Sequence, residues 1–175
     1  MAYLALLACL CFSSTLRVTG DGKEYLLLAE RLAAGEGPGI PVPEAASAGV
    51  HNPKLVDRQG AQQLWHFWFF PLLVAPLVSP LGGNAGAAFA IANVALLVWA
   101  FNVLHRRVDL WAAVFVGCSP VLWWVDKPQV EAFTVATIAA GCALIDRPHL
   151  AALAFGLAAT QNPPFGAVAL ILCLM

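Results

Sequence analysis

The residues whose types and spacing could do chemistry fall at a few points along the chain. Asp21 and Glu24 lie in Thr19-Gly20-Asp21-Gly22-Lys23-Glu24-Tyr25, directly after an apolar segment. Asp21 therefore stands where a chain leaving an apolar layer meets water. A carboxylate held there can take a proton from a substrate hydroxyl as a general base. The same pair fits a capping box, acid-x-x-Glu, at a helix start. A carboxylate at a helix N-terminus is stabilised in its charged form and is a weaker base. Both readings stay open. Glu131 stands in the first turn of an apolar stretch. There it either pairs with the helix N-terminus or reaches a cavity, because ionisable groups at membrane depth are usually functional. Lys127 can bind a phosphate as a point charge or simply solvate a turn. His66, within Trp65-His66-Phe67-Trp68, is a catalyst or a filler among aromatics. Asn162 brings a polar group to the break Asn162-Pro163-Pro164. His51 has no evident partner, and His105 and His149 flank basic turns. No spacing of His, Cys, Asp and Glu suggests a metal site. No P-loop, GxGxxG or GxSxG occurs, so no cofactor is expected.

The elements that must position these side chains are membrane elements. The chain is 61% hydrophobic and 11% charged, with a mean hydropathy of +0.78, where soluble domains carry roughly 25% charged residues. A net charge of −1 gives no reason to expect a nucleic-acid partner; membrane lipid is the expected one. The five cysteines, Cys9, Cys11, Cys118, Cys142 and Cys173, lie in apolar segments without a CxxC and read as small buried apolar residues. The expected fold is all-α, a polytopic transmembrane helix bundle with a long first outer loop holding interfacial helices.

In order, residues 1–16 read as a first span, with a signal peptide as the competing reading; no basic residue precedes the run, and no small-x-small site clearly ends it. Residues 17–81 form the outer loop. Within it, Lys23 to Ala34 reads as an amphipathic helix: Tyr25, Leu28, Ala29 and Leu32 share one face, and Lys23, Glu24, Glu30 and Arg31 lie off it. Gly35 to Ala61, rich in Gly and Pro, reads as a loop without helical period. Gln62 to Leu81, interrupted by Pro71, Pro76 and Pro80, reads as short interfacial helices. Spans are expected at 85–104, 110–125 and 129–145, with a broken fifth or sixth span at 150–175. The apolar run still open at Met175 reads as a fragment of a longer multi-span protein.

Basic turns orient the stack. Arg106, Arg107 and Arg147 belong on the cytoplasmic side by the positive-inside rule. Asp126, Lys127 and the loop before residue 81 then lie outside. Asp21, Glu131 and Asn162 become neighbours of one outer face.

The order of these pieces resembles the GT-C superfamily of membrane glycosyltransferases, close to bacterial relatives of protein O-mannosyltransferases and lipid A glycosyltransferases. Four stretches carry the resemblance: Gly20-Asp21-Gly22-Lys23-Glu24-Tyr25 with Ala29, Leu32 and Gly35; Phe70-Pro71 to Pro76 with Gly82-Gly83 and Asn93; Ser119-Pro120 with Gln129-Val130-Glu131; and Gly156 to Thr160 with Asn162-Pro163. The resemblance implies a sugar donor on a polyprenyl phosphate and an acceptor on the outer face. It implies Asp21 as catalytic base, Glu24 as the nearest second acid, and Glu131 lining the cavity. Lys127, His66 and Asn162 complete the expected substrate-binding set. The chain departs from the family pattern in two places. No second acid adjoins Asp21, and Asn162 stands where relatives often carry a basic residue before proline. A carboxy-terminal half is the implied partner, and the bacterial plasma membrane the implied location. The alternative is a non-catalytic multi-span membrane protein: a degenerate relative, an assembly partner or a transporter piece.

Overall fold

The computed structural model describes residues 2–13, 18, 21–52, 55–63 and 68–175. The chain is mostly helical, as its composition requires. Its axis is α5, Ala85–Arg107, a helix of 23 residues. Asn84 starts it by accepting a hydrogen bond from the Ala87 N–H at 2.9 Å, and His105, Arg106 and Arg107 end it. Basic side chains in a last turn complement the negative end of the helix dipole. Among the described residues α5 alone is long and apolar enough to cross a membrane.

The other apolar helices are shorter. They are α1 (Ala2–Ser13), α4 (Phe69–Val78), α6 (Leu110–Gly117), α7 (Glu131–Ala143), α8 (Pro148–Ala159) and α9 (Phe165–Cys173). The span expected at 110–125 is divided. α6 stops at Gly117, and a 3₁₀ turn, Pro120–Trp124, follows. Pro120 has no N–H to continue a helical ladder, and the Ser119 hydroxyl accepts from the Val121 N–H at 3.3 Å to start the turn afresh. The stretch expected at 129–145 yields 13 helical residues, a rise of about 20 Å against a hydrocarbon core of about 30 Å. The last apolar run breaks at Asn162-Pro163-Pro164 into α8 and α9, which fold back on each other through Phe155, Phe165 and Leu172.

Packing follows small residues. The Phe155 ring lies 2.9 Å from where a Cβ would stand on Gly141, so α8 seats directly on α7. Tyr3 stacks on Phe101 with ring centroids 4.3 Å apart and donates its hydroxyl to the Gly117 carbonyl at 2.9 Å, joining α1, α5 and α6. The cysteines correct the expectation of burial. Cys9, Cys118, Cys142 and Cys173 are exposed and Cys11 is half-buried. Cys9, Cys142 and Cys173 fall on outward helix faces, Cys118 caps the end of α6, and Cys11 packs against the cluster around Leu7 and Leu97.

The amphipathic helix is α2, Gly22–Ala33. Its apolar face, Tyr25 and Ala29, is covered by protein: Phe70, Val74 and Val78 of α4, Ala88 and Phe89 of α5, and Phe133 of α7 share one cluster with it. The helix thus packs into the bundle and does not lie loose on a surface. Beyond it, the stretch 35–61 is more ordered than a loop. β1 (Ile40–Pro41) pairs antiparallel with β2 (Ala61–Gln62), and α3 (Val42–Ser47) follows β1 directly. Side chains do the organising. Buried Gln62 accepts from the Asn52 N–H at 2.7 Å and donates to the Val50 carbonyl at 2.8 Å. His51, which lacked a partner in the sequence, meets Gln62 at 3.2 Å. Arg31 of α2 pairs with Glu36 at 2.8 Å and Glu44 at 2.6 Å, fastening this segment to the bundle. No hydrophobic period announces such a segment, because hydrogen bonds and ion pairs hold it.

Candidate functional site

A pocket of about 290 Å³ opens where the N-termini of α2 and α7 meet the end of α8. Asp21 and Tyr25 line it from α2, Gln129 to Glu131, Thr134 and Val135 from the start of α7, and Gln161 and Asn162 from the break before α9. Each wall has a local cause. Gly22 lets α2 reach the turn before α7: a Cβ there would meet the Pro128 ring at 3.1 Å and its carbonyl oxygen at 3.6 Å. A glycine makes that approach without pushing the Pro128 ring aside, and it sets Asp21 at the pocket rim.

The floor of the turn is held from below by Asn93. This side chain is fully buried in α5 and donates its amide to the carbonyls of Trp124 at 3.2 Å, Val125 at 3.3 Å and Lys127 at 2.9 Å. The third wall is tied by Asn162, whose amide donates to the Thr134 hydroxyl at 3.1 Å. That bond links the α8–α9 break to α7.

The acids behave differently from the capping reading. Asp21 occupies the N-cap position of α2, but its backbone is helical and its side chain makes no capping hydrogen bond. The carboxylate is exposed at the pocket. Glu131 is half-buried with its Oε2 out of solvent, at the first helical position of α7. Glu24, expected beside Asp21, sits one turn into α2 with its own Oε2 buried, and is not among the lining residues. Tyr25 reports the acidity of the place. Burial raises the pKa of its phenol well above the ordinary value, and the Asp21, Glu131 and Glu24 carboxylates raise it further, in that order. The phenol therefore stays protonated at neutral pH and is a hydrogen-bond donor inside an acidic pocket.

Lys127 departs from both of its readings. It is neither a solvated turn residue nor a lining residue of the pocket. Its side chain is fully buried. The ammonium donates to the Trp123 carbonyl, lies 3.7 Å from the Trp123 ring centroid and sits 3.6 Å from the Asp126 carboxylate, itself 3% exposed. A lysine with these partners serves the turn from inside, because a buried ammonium needs opposite charge and acceptors around it. His66 lies outside the described residues. Thus Asp21, Glu131 and Asn162 come together, while Glu24 and Lys127 stand behind the pocket wall.

Sequence reasoning did not single out Gln161 or Thr134, and it named Asn93 only among the residues that carry the family resemblance. Thr134 and Asn93 are isolated polar residues in apolar runs, and that signal was available, since polar groups at such positions need partners; Gln161 adjoins Asn162 at the break. Among the described residues no group of three or more His, Cys, Asp or Glu side chains could hold a metal ion. Comparison of the chain with family models, with curated proteins and with solved structures finds no match.

Proposed function

We propose that the chain is an integral membrane glycosyltransferase, or its amino-terminal half, seated as a polytopic helix bundle in a bacterial plasma membrane. It transfers a sugar from a polyprenyl-phosphate donor to a hydroxyl acceptor on the outer face. The observation that carries this reading is the meeting of Asp21 and Glu131, far apart in the chain, with Tyr25 and Asn162 in one pocket. The pocket volume of about 290 Å³ is at the small end of ligand sites, roughly 300–1,000 Å³. It suits one sugar ring.

The chemistry divides among the lining groups. Asp21, exposed and without a capping bond, takes the proton of the acceptor hydroxyl. The acceptor oxygen forms its bond to the anomeric carbon as the bond from that carbon to the phosphate oxygen breaks, and polyprenyl phosphate leaves. Such positioned base catalysis contributes about 10²–10⁴ in rate. Glu131, Tyr25 and the amides of Gln129, Gln161 and Asn162 offer acceptors and donors to sugar hydroxyls. No described lining residue is basic.

The experiment is transfer of a labelled sugar from a polyprenyl-phosphate donor in membranes carrying the protein at its full natural length. Membranes lacking it should show only background incorporation. Equal incorporation with and without the protein would sink the reading and favour a non-catalytic membrane protein.

A further inference from the structure

α7 carries the acidic pocket at its first turn. At its other end, about 20 Å away by helix rise, the surface has the opposite character. A groove of about 530 Å³ lies between the end of α5 and the turn joining α7 to α8. Arg106 and Arg107 from the last turn of α5 and Arg147 from the turn after α7 line it, with Trp99, Leu144 and Leu150 as apolar walls. Trp99 is 40% exposed and Leu150 45% exposed.

The positive charge here is not spent internally. Arg107 reaches Asp146 at 3.6 Å, with both side chains open to solvent, a geometry that contributes little. Arg106 and Arg147 have no ion pair among the described residues. Asp109, the nearest other acid in sequence, accepts from the Ala112 N–H at 2.7 Å and caps α6. Three guanidinium groups thus face one groove against a single weakly held carboxylate.

We propose that this groove binds the phosphate of an anionic phospholipid, with an acyl chain laid along Trp99, Leu144 and Leu150. The shared chemistry is a phosphate, which Arg binds through paired N–H donors. A free phosphate would satisfy the arginines and leave the apolar walls in water. A lipid covers both, and basic pockets between membrane helices are known to take anionic headgroups. The inference rests on the membrane reading of α5 and is independent of sugar transfer.

The test starts by fractionating cells that express the chain, then uses native mass spectrometry of the detergent-purified chain with equimolar phosphatidylglycerol and phosphatidylcholine. Wild-type chain in the membrane fraction should retain phosphatidylglycerol preferentially. Arg106→Gln and Arg147→Gln should each lower that retention about fivefold, the factor for one basic residue near an anionic surface. Arg58→Gln, at an exposed position far from the groove in sequence, should not change it. Equal retention of the two lipids, or unchanged retention in both groove variants, would overturn the site and leave the membrane reading standing. Displacement of the lipid by free glycerol phosphate would overturn the lipid assignment in favour of a soluble phosphate. Recovery of the chain in the soluble fraction would overturn the membrane reading and the site together.

Discussion

Replacing Asn93 should loosen the floor of the acidic pocket without touching its lining. The Asn93 amide has two hydrogens, shared among the carbonyls of Trp124, Val125 and Lys127. Trp124 and Lys127 also accept from the backbone N–H groups of Lys127 and Gln129. For the Val125 carbonyl, Asn93 is the sole donor among the described residues, and Val125 is 2% exposed. Water cannot easily take the amide's place. Two hydrogen bonds at about 1 kcal/mol each, plus part of the penalty for a stranded carbonyl, give about 2–3 kcal/mol. For a chain of this size each kcal/mol moves Tm by about 2–4 °C, so Asn93→Leu should melt roughly 5–10 °C below wild type in mild detergent. Leucine fills similar space, which separates lost hydrogen bonds from lost packing. Asn93→Asp should be worse still, since it points a carboxylate at three carbonyls. An Asn93→Leu protein that melts with wild type would refute the reasoning, because the turn would then stand without its donor.

Other expectations concern the approach of α2, the organised segment after it and the orientation of the bundle. Gly22→Val should cost about 1–3 kcal/mol by overpacking against Pro128, and Gly22→Ala distinctly less; a valine variant with an unchanged melt would mean that the 3.1 Å approach does not hold α2 in place. The Asp57 carboxyl is held below the ordinary range by the Ala61 N–H, then by the Gln63 side chain and further backbone N–H groups. Because the folded value is lowered, this contribution is present above the unfolded value of about 3.9 and fades as pH falls through the folded one. An NMR titration of the Ala61 amide should show a midpoint below 3.9, and a midpoint at or above it would contradict the hydrogen-bond assignment. With native thiols removed, a cysteine at Ser47 should react with an impermeant reagent on intact cells and one at Arg107 should not; the reverse would overturn the proposed orientation.

The sequence made some of this legible for physical reasons. Apolar runs and prolines act locally, so α5 and the break at Asn162-Pro163-Pro164 were readable from residue types alone. The division after α6 was harder, because Ser119-Pro120 sits inside a run whose composition still says span. The paired segment from Ile40 to Gln62 was not readable as structure. Its order comes from Gln62, Asp57 and Arg31, whose partners are scattered and polar. At the pocket, the expected alternation of apolar segments brings Asp21, Glu131 and Asn162 to one face, and all three line the cavity. What could not be read was side-chain direction. Lys127 is adjacent in sequence to that face, yet it turns inward to Trp123 and Asp126. Glu24 follows Asp21 by three residues, yet it is not among the residues that line the pocket, while Tyr25, the next residue, is.

The proposed function places its chemistry on Asp21. Asp21 is exposed, and asparagine keeps the shape of its side chain, so Asp21→Asn should leave the melt within about 0.5 kcal/mol of wild type, as for a surface change. The decisive measurement is the initial rate of sugar transfer from a polyprenyl-phosphate donor by Asp21→Asn and Glu24→Gln, each matched to wild type for protein in the membrane. The expected result is a loss of about 10²–10⁴ for Asp21→Asn and a much smaller loss for Glu24→Gln. Near-normal transfer by Asp21→Asn would contradict it and move the test to Glu131.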